Sequence, residues 1–271
     1  MINSRLYPIR PLAVASLLVF ILSDTVLNNS NDAAEMFGEA SADGMFLAQK
    51  YIGITLNFLL SSPELICRLD KGTFSLLYMA DHVNKTLKAD DLYKLIPGPN
   101  GGTKEIPALH LLEILSFVAA TCPESSIRFY IYKLIEKIVK SADDEACLYI
   151  LYELLDRCPY SSMNTAAVGL LKDQISRSID AAKYQQAASV FATPLIKSKF
   201  FPIIFRFKSS WKVKPDSFWN DYNYVMQALN LYYLMLSKDY PTNFNDISQV
   251  MQIDTMKHVV DKINVYIESK K

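Results

Sequence analysis

The sequence predicts an all-α fold, and three observations support that prediction. Apolar residues make up 51% of the 271 positions and charged residues 21%, which is the balance of a globular chain. Only eight glycines are present, and few runs alternate apolar with polar residues, so a sheet protein is disfavoured. Apolar residues instead recur at helical spacing along most of the chain. We therefore expect helices throughout.

The first element is an apolar segment that we interpret as a buried helix. Arg5 and Arg10 precede a run from Pro11 to Leu22 in which Ser16 is the one polar residue. The run resembles the hydrophobic region of a signal peptide, yet it is shorter than the roughly 20 residues of a membrane span, and no small-residue cleavage site follows closely. A helix that is apolar nearly all round is not a solenoid cap, so we expect a partner or earlier repeats of a longer protein to cover it.

The rest of the chain divides by composition into a connection and one helical domain. Residues 1–27 hold the apolar helix, and residues 28–44 are polar, small and acidic, which is typical of a mobile connection. Residues 45–271 are predicted to form a helical-repeat domain. A long loop interrupts this domain at residues 97–107, where three prolines and three glycines stand in the sequence PGPNGGTKEIP.

Four apolar stripes within this domain predict amphipathic helices that each bury one face. Their members recur mainly at spacings of three and four residues, as one side of a helix requires. In chain order the stripes are Leu111, Leu112, Leu115, Val118 and Ala119; Leu148, Leu151, Tyr152 and Leu155; Phe218, Tyr222, Val225, Met226, Leu229, Tyr233 and Leu236; and Ile253, Met256, Val260, Ile263 and Ile267.

Two of these stripes belong to an internal repeat with an offset of 36 residues. The segment that starts at Leu111, LLEILSFVAATCPESSIRFYIYKLIEK, matches the segment that starts at Cys147, CLYILYELLDRCPYSSMNTAAVGLLKD. Eight positions are identical, and most other apolar positions meet apolar partners. The identical residues of the first copy are Leu112, Ile114, Leu115, Cys122, Pro123, Ser125, Ser126 and Leu134.

The repeat unit has the pattern of a helix, a tight turn and a second helix. Proline disfavours helical backbone in the residue before it, so the first helix should end at Cys-Pro. The Ser-Ser pair that follows offers N-caps for the second helix. Helix pairs repeated every 35–45 residues or so are typical of an α-solenoid of the HEAT or armadillo kind, in which neighbouring units stack to bury their apolar faces. An irregular helical bundle is the alternative.

No combination of residues predicts a catalytic, metal or cofactor site, so we expect a protein that is not an enzyme. His82, His110 and His258 are far from one another and from cysteines, which excludes the usual metal-ligand spacing. His110 and Glu113 share an apolar helix, where a satisfied polar pair or an exposed edge is favoured over an acid–base dyad. Phosphate-binding, dinucleotide-binding and nucleophile-elbow glycine motifs are also missing from the sequence.

Four scattered cysteines favour a reducing compartment, the cytoplasm and also the nucleus, because a chain of this size needs no disulfide framework. Cys122 and Cys158 occupy equivalent repeat positions, which raises a redox role. Stacked helices lie about 8–10 Å apart, however, and a disulfide needs Cα atoms within about 7 Å. We favour a small apolar residue that ends each helix. The N-terminal run and the sequons at Asn28 and Asn84 make a secreted or membrane-associated helical protein the alternative.

A basic and aromatic segment from Lys197 to Lys214 is the candidate partner-binding surface. It contains no acid. This pattern is found in proteins that bind nucleic acid, membranes or other proteins, and also in connectors whose aromatic residues fill a core. Among the binding functions we favour a protein interface, because the formal net charge of zero argues against the other two. The segment holds Lys197, Lys199, Arg206, Lys208, Lys212 and Lys214, interleaved with Phe200, Phe201, Phe205, Phe207 and Trp211.

The segment from Arg157 to Ile175, RCPYSSMNTAAVGLLKDQI, resembles the signature of the glomulin family, which also includes plant ALF proteins and fungal YAP-binding and kinetochore proteins. Two further segments add to the resemblance: TCPESSIRFYIYKLIEKIV from Thr121 and ALNLYYLMLSKDYPTNF from Ala228. The resemblance spans Leu109 to Phe244. Members of the family are longer, so the chain resembles a C-terminal portion or a short member.

The resemblance implies HEAT-like repeats, no enzyme activity and a role as an adaptor or inhibitor that binds another protein. Glomulin masks the RING subunit of cullin–RING ubiquitin ligases. Fungal members bind a stress-response transcription factor and promote its oxidation, or act at kinetochores. The implied partner is therefore a RING or cullin subunit or a stress-response transcription factor.

On this resemblance the signature residues have structural roles. Pro159 would end a helix, Gly169 would allow close helix packing, and Leu170 with Leu171 would fill the core. Lys172 and Asp173 would form a surface contact or cap a helix. The full signature set is Cys158, Pro159, Gly169, Leu170, Leu171, Lys172 and Asp173.

Overall fold

The computed structural model describes residues 11–28, 43–60, 65–99, 105–184, 189–206 and 217–247, together with the single positions 35, 38 and 261. Most of these residues are helical, which confirms the all-α class. The chain forms two compact units, Met1–Cys147 (unit 1) and Leu148–Lys271 (unit 2). The single helical-repeat domain over residues 45–271 stays a prediction. Most of the predicted connection at 28–44 and the stripe from Ile253 to Ile267 lie outside the described residues.

Unit 1 begins with three helices, α1 (Pro11–Asn28), α2 (Gly44–Leu59) and α3 (Ile66–Asp81). α1 buries Ala15 and Val19 against Phe58 of α2. The apolar N-terminal run therefore forms a helix that packs on one side. The other side of α1 leaves Leu17 and Phe20 exposed.

Glycines let α2 lie close to its neighbours. The N–H of Gly44 donates to the carbonyl of His82 at 2.8 Å, just past the end of α3. A Cβ at Gly44 would collide with the carbonyl of Met79, and a Cβ at Gly53 would lie 2.5 Å from the carbonyl of Gly98. Both positions therefore require glycine unless the neighbouring backbone shifts.

A short helix, α4 (Ala89–Leu92), leads into an antiparallel pair of strands, β1 (Leu95–Pro97) and β2 (Glu105–Pro107). Ile96 pairs with Ile106 at the centre of this pair. The segment predicted as a loop over 97–107 therefore begins and ends in strand. Proline can stand at the end of an edge strand because its missing N–H is not needed there, and the sequence pattern did not reveal this arrangement.

The 36-residue repeat corresponds to two helix pairs. The first is α5 (Leu109–Thr121) with α6 (Ser125–Ser141); the second is α7 (Asp144–Tyr152), which continues as a π-helix (Glu153–Arg157), with α8 (Ser161–Lys183). Cys122 and Cys158 follow the first helix of each pair with nearly the same extended backbone, φ −60° and ψ 129° against φ −69° and ψ 125°. The predicted helix–turn–helix unit is confirmed. The stacking of such units into a solenoid stays a prediction.

The predicted N-caps of α6 and α8 are wrong. The N-cap positions are Glu124 and Tyr160, while the serines that follow them already lie in the helices. The carboxylate of Glu124 accepts a hydrogen bond from the backbone N–H of Ser126 at 3.3 Å. A carboxylate suits this position because it accepts from unpaired N–H groups at the positive end of the helix dipole.

Unit 2 continues with a 3₁₀ turn (Val190–Ala192), α9 (Leu195–Ile204), α10 (Ser217–Asn220) and α11 (Tyr222–Lys238). α11 packs along α8 and buries Val225, Leu231 and Met235. At the end of α11 the ammonium of Lys238 donates to the carboxylate of Asp180 in α8 at 2.6 Å. The core of unit 2 therefore lies between α8, α9 and α11.

A fixed turn follows α11. Asp239 is buried, and its carboxylate accepts hydrogen bonds from the N–H groups of Phe244 and Asn245, each at 2.8 Å. The hydroxyl of Thr242 also donates to the carbonyl of Asp239 at 2.8 Å. These bonds hold Tyr240 directly beyond the end of the helix.

Candidate protein-binding surfaces

A side chain whose role the sequence did not predict holds the turn of the second helix pair. The Asn164 amide Nδ2 donates to the carbonyls of Leu154, Leu155 and Cys158 at 2.9, 3.2 and 3.2 Å. These carbonyls lie at the end of a helix, where they have no partner within the helix itself. Asn164 therefore completes the hydrogen bonding of the π-helix and fixes the start of α8 against it.

Arg128 does the same in the first pair, 36 residues earlier. Its guanidinium Nη1 donates to the carbonyls of Cys122 and Pro123 at 2.7 and 2.8 Å. Arg128 and Asn164 each occupy the fourth residue of the second helix. The sequence signal was a hydrogen-bond donor at this position in both copies, but the two residue types differ, so an identity match did not find it.

The family-signature residues lie in the turn after the π-helix and along α8. Pro159 is exposed in the turn, whereas Leu170 and Leu171 are buried. Cys158 is half-buried and follows the π-helix directly. Leu170 and Leu171 therefore help to form the core of unit 2, while Pro159 remains accessible to solvent.

Lys172 and Asp173 lie in the middle of α8, and Asp173 is exposed. The surface contact predicted for this pair stays a prediction, whereas one other signature position differs from its predicted role. Gly169 does not mediate close packing, because a Cβ at this position would meet no atom of the described residues within 4 Å. Glycine therefore costs helix stability at this site without a contact in the described part of the chain that requires it.

The cations of the basic segment are partly neutralised within unit 2. The Lys197 ammonium lies 2.9 Å from the Asp246 carboxylate and also donates to the carbonyl of Asp246 at 2.8 Å. The Arg206 guanidinium lies 3.0 Å from the carboxylate of Asp156, in the π-helix. Lys199 is exposed. Lys208, Trp211, Lys212 and Lys214 lie outside the described residues.

The aromatic side chains of the same segment belong to the core where they are described. Phe200, Phe201 and Phe205 are buried. The ring of Phe201 lies 5.0 Å from that of Phe205 and 6.3 Å from that of Tyr232 in α11, measured between centroids. These contacts match the connector interpretation, in which the aromatic residues pack α9 against its neighbours. The partner-binding role of the segment stays a prediction.

An open cleft of about 590 Å³ lies between α3 and α6 in unit 1. Its floor includes Leu77, Ala80 and Val83, and its rim is charged. Lys137 forms an ion pair with Asp81 across the cleft. An apolar floor with a charged rim is the general form of a groove for a peptide or helix.

Ion pairs along α6 connect the charged residues that line the cleft. The carboxylate of Glu136 lies 2.8 Å from the ammonium of Lys133 and 2.5 Å from that of Lys140. Hydrogen bonds from Lys133 and then Lys140 hold the pKa of Glu136 below its usual value. The rim of the cleft therefore stays charged near neutral pH.

α11 has an exposed apolar face in addition to its packed face. The stripe that the sequence predicted as buried includes Tyr222, Tyr233 and Leu236, and all three are exposed. The core instead receives Tyr224 and Leu231, and burial raises the pKa of the Tyr224 hydroxyl to about 12. The predicted face was correct only in part: Phe218 and Val225 of the same stripe are buried, and the rest is exposed or half-buried because α11 is apolar on two sides.

The histidines and cysteines of the described residues show ordinary contacts. His110 and Glu113 form an exposed pair at 2.8 Å, and the His82 ring stacks on Tyr78 with centroids 4.2 Å apart. All four cysteines are free thiols. No group of three or more His, Cys, Asp or Glu residues within the described ranges could hold a metal ion. The described part of the chain also has no helix of the length and apolarity that a membrane crossing requires.

The chain matches a known protein family over most of its length. The model of the uncharacterised protein family described as YAP/Alf4/glomulin matches residues 49–270, and the name of that model refers to the kinetochore. The match begins within α2 and runs through α11, and therefore extends beyond the segment of the sequence resemblance at Leu109 to Phe244. No curated protein matches the chain.

Proposed function

Because the chain belongs to the YAP/Alf4/glomulin family, we propose that it works by binding another protein and catalyses no reaction of its own. The observation behind this proposal is the family match over residues 49–270, which takes in parts of both units. Repeated helix pairs suit the role because each pair adds surface that a partner can contact. Successive pairs stacked as a HEAT-like solenoid are part of the proposal.

The partner we propose is a RING or cullin subunit of a ubiquitin ligase, or a stress-response transcription factor. The role is that of an adaptor or inhibitor. A location in the cytoplasm and the nucleus accords with four free cysteines, because reducing compartments keep thiols reduced. Direct binding to nucleic acid or to a membrane is not part of the proposal, since the formal net charge is zero.

Within unit 2 the proposed contact remains the basic segment. Lys197 and Arg206 already pair with carboxylates of their own unit, so they contribute less charge to a partner than the sequence predicts. The residues that we propose to contact the partner are therefore chiefly the exposed Lys199 together with Lys208, Trp211 and Lys212. Tryptophan is among the residues on which binding energy concentrates, so Trp211 is the first position to change.

A direct binding measurement tests this function. The full chain is titrated with a purified RING–cullin subcomplex and, separately, with a purified basic-zipper stress-response transcription factor at physiological salt. We expect one of the two to bind with a defined stoichiometry. Trp211→Ala combined with Lys212→Glu should weaken that binding about tenfold or more, as loss of a central contact does.

Lys71→Glu is the matched control, because it makes the same charge change at an exposed position of unit 1. It should leave the dissociation constant unchanged. Absence of binding to both candidates would overturn the proposed partners. Equal binding by the wild type and the Trp211 variant would move the contact away from the basic segment and leave the cleft between α3 and α6 as the next surface to change.

A further inference from the structure

The exposed face of α11 has a regular pattern. Six apolar residues, which we call the α11 seam, recur at alternating spacings of four and three residues, and five of them lie within α11. The seam consists of Tyr222, Met226, Leu229, Tyr233, Leu236 and Tyr240. This alternation is the spacing by which one helix meets another along a coiled-coil contact.

The seam faces away from the core of unit 2. Successive residues of a helix are rotated by 100°, which places Leu231 on the side opposite the centre of the seam. Leu231 is fully buried, whereas Tyr233 and Tyr240 are 72% and 77% exposed, and Tyr222 and Leu236 are 41% and 39% exposed. The other two seam residues are half-buried. α11 therefore uses one side for its own unit and leaves the other to solvent.

The composition of this face favours contact with protein. α11 has no charged side chain from Tyr222 to Ser237, and the flank of the seam is formed by Asn223, Asn230 and Ser237. Interface centres are depleted in charge and enriched in tyrosine and methionine. At its N-terminal end the ring of Trp219 lies 5.8 Å from that of Tyr222 and widens the aromatic surface.

We propose that the α11 seam binds the same seam of a second copy of this chain, with the two helices antiparallel and a twofold axis that crosses the seam between Leu229 and Tyr233. The order of side chains supports a second copy as the partner, because the seam has a similar series of tyrosines and aliphatic residues when it is read from either end. In this register Tyr222 lies opposite Tyr240 of the second copy, and Leu229 lies opposite Tyr233 of the second copy. A twofold contact requires this reciprocity, in which each residue of a pair occurs on both sides.

Charge supports the same occupant. A surface that meets its own copy brings every charge against an identical charge, so a charged face opposes self-association. The uncharged α11 seam meets no such repulsion, and the formal net charge of zero adds none at long range. A charged partner helix would find no complementary charge along this face.

The exposed area indicates a weak and reversible dimer. A buried tyrosine contributes on the order of 200 Å², so the exposed fractions of the three seam tyrosines amount to about 400 Å² per copy. With Leu236 and the polar flank, the pair would bury about 1,000 Å², which is the lower end of specific interfaces. We expect a dissociation constant of about 10–100 μM.

Sedimentation equilibrium of the full chain from about 1 to 200 μM tests the dimer, with the concentration range set by the affinity expected above. We expect a monomer–dimer equilibrium. Tyr233→Glu should raise the dissociation constant at least about tenfold, because it places a carboxylate against its own copy at the centre of the contact. Ser162→Glu is the matched control, because it adds the same charge at an exposed position of α8, outside the seam and its polar flank.

Monomer at 200 μM, or equal weakening by the two glutamate variants, would overturn the proposal. Circular dichroism of each variant shows whether the fold is retained, and the high exposure of Tyr233 makes retention the expected result. Binding of a different protein helix to the seam of a monomeric chain would likewise overturn it. The dimer does not depend on the proposed partner function, so either can fail without the other.

Cysteine pairing tests the orientation. In a Cys67→Ser background, which removes an exposed thiol, Leu229→Cys and Tyr233→Cys chains are oxidised separately and then as a mixture. The antiparallel register predicts a disulfide-linked dimer chiefly in the mixture, because Leu229 lies opposite Tyr233 of the second copy. Dimers that form as readily from each single variant alone would indicate a parallel pair and overturn the proposed register.

Discussion

The repeated helix pairs and α11 show the same kind of apolar periodicity, but it predicts the buried face reliably only in the helix pairs. In α5 the predicted stripe lies in the core, where Leu112, Leu115 and Val118 are buried. In α11 three residues of the predicted stripe face solvent, and the core receives Leu231 and Met235 in addition to Val225 of the stripe. Periodicity thus locates a helix, but it identifies the packed face only where the opposite face is polar.

The difference lies in the outer faces. One face of α6 bears Lys133, Glu136 and Lys140, and its two lysines are about half exposed, which keeps this face out of the core. α11 has asparagine, glutamine and serine as its polar residues before Lys238, and they fill only a narrow sector. Two apolar faces compete for the core in such a helix, and tertiary contacts with α8 decide between them.

The largest expected effect contrasts a buried repeat residue with an exposed seam residue. Leu171→Ala should lower the free energy of unfolding by about 2–5 kcal/mol, because it leaves a cavity in the core of unit 2. Tyr233→Ala should change it by no more than about 0.5 kcal/mol, since the side chain is largely exposed. Urea unfolding of both variants under dilute, monomeric conditions measures the two values. Similar values for both would mean that the faces are assigned wrongly.

A smaller effect is expected at the turn of the second helix pair. Asn164→Ala removes the donor to the carbonyls of Leu154, Leu155 and Cys158 and should cost about 1–3 kcal/mol of stability. Thr165→Ala is the control, because that hydroxyl donates only to the carbonyl of Ser161 one turn earlier in the same helix. Equal losses in the two variants, measured by urea unfolding, would show that the turn does not depend on Asn164.

Gly169→Ala should stabilise unit 2 by about 0.5–1 kcal/mol. Alanine favours helix over glycine, and a Cβ at this position meets no atom of the described residues within 4 Å. Gly53→Ala is the contrasting variant in unit 1 and should destabilise, because its Cβ would lie 2.5 Å from the carbonyl of Gly98. Thermal unfolding should move in opposite directions for the two variants, and a loss of stability in Gly169→Ala would point to a close contact at that site.

The fold was predictable from the sequence where local chemistry decides the structure. Cys122 and Cys158 end their helices with the same backbone because each precedes a proline. The strands at Leu95–Pro97 and Glu105–Pro107 were not predicted. They are short and contain prolines, which usually indicate a loop, and they form only because the two segments pair with each other. The charge that the basic segment presents was harder to predict. Lys197 and Arg206 form ion pairs with Asp246 and Asp156, which are distant in sequence.

The smallest expected effect concerns the charged outer face that distinguishes α6 from α11. Two lysines lower the pKa of Glu136 in the folded state, so its ion pairs add stability above the pKa of the unfolded chain and lose it as the pH falls through the folded value. Glu136→Gln should therefore cost about 0.3–0.5 kcal/mol near pH 7, and less at high salt, as partly exposed pairs do. At a pH below the folded pKa of Glu136, the variant and the wild type should unfold alike.

A constant difference in unfolding free energy between acid and neutral pH would instead indicate that Glu136 acts through packing. The charge of Glu136 would then not be what distinguishes this face of α6 from the uncharged α11. The difference between the two helices would lie in how their side chains pack against their neighbours.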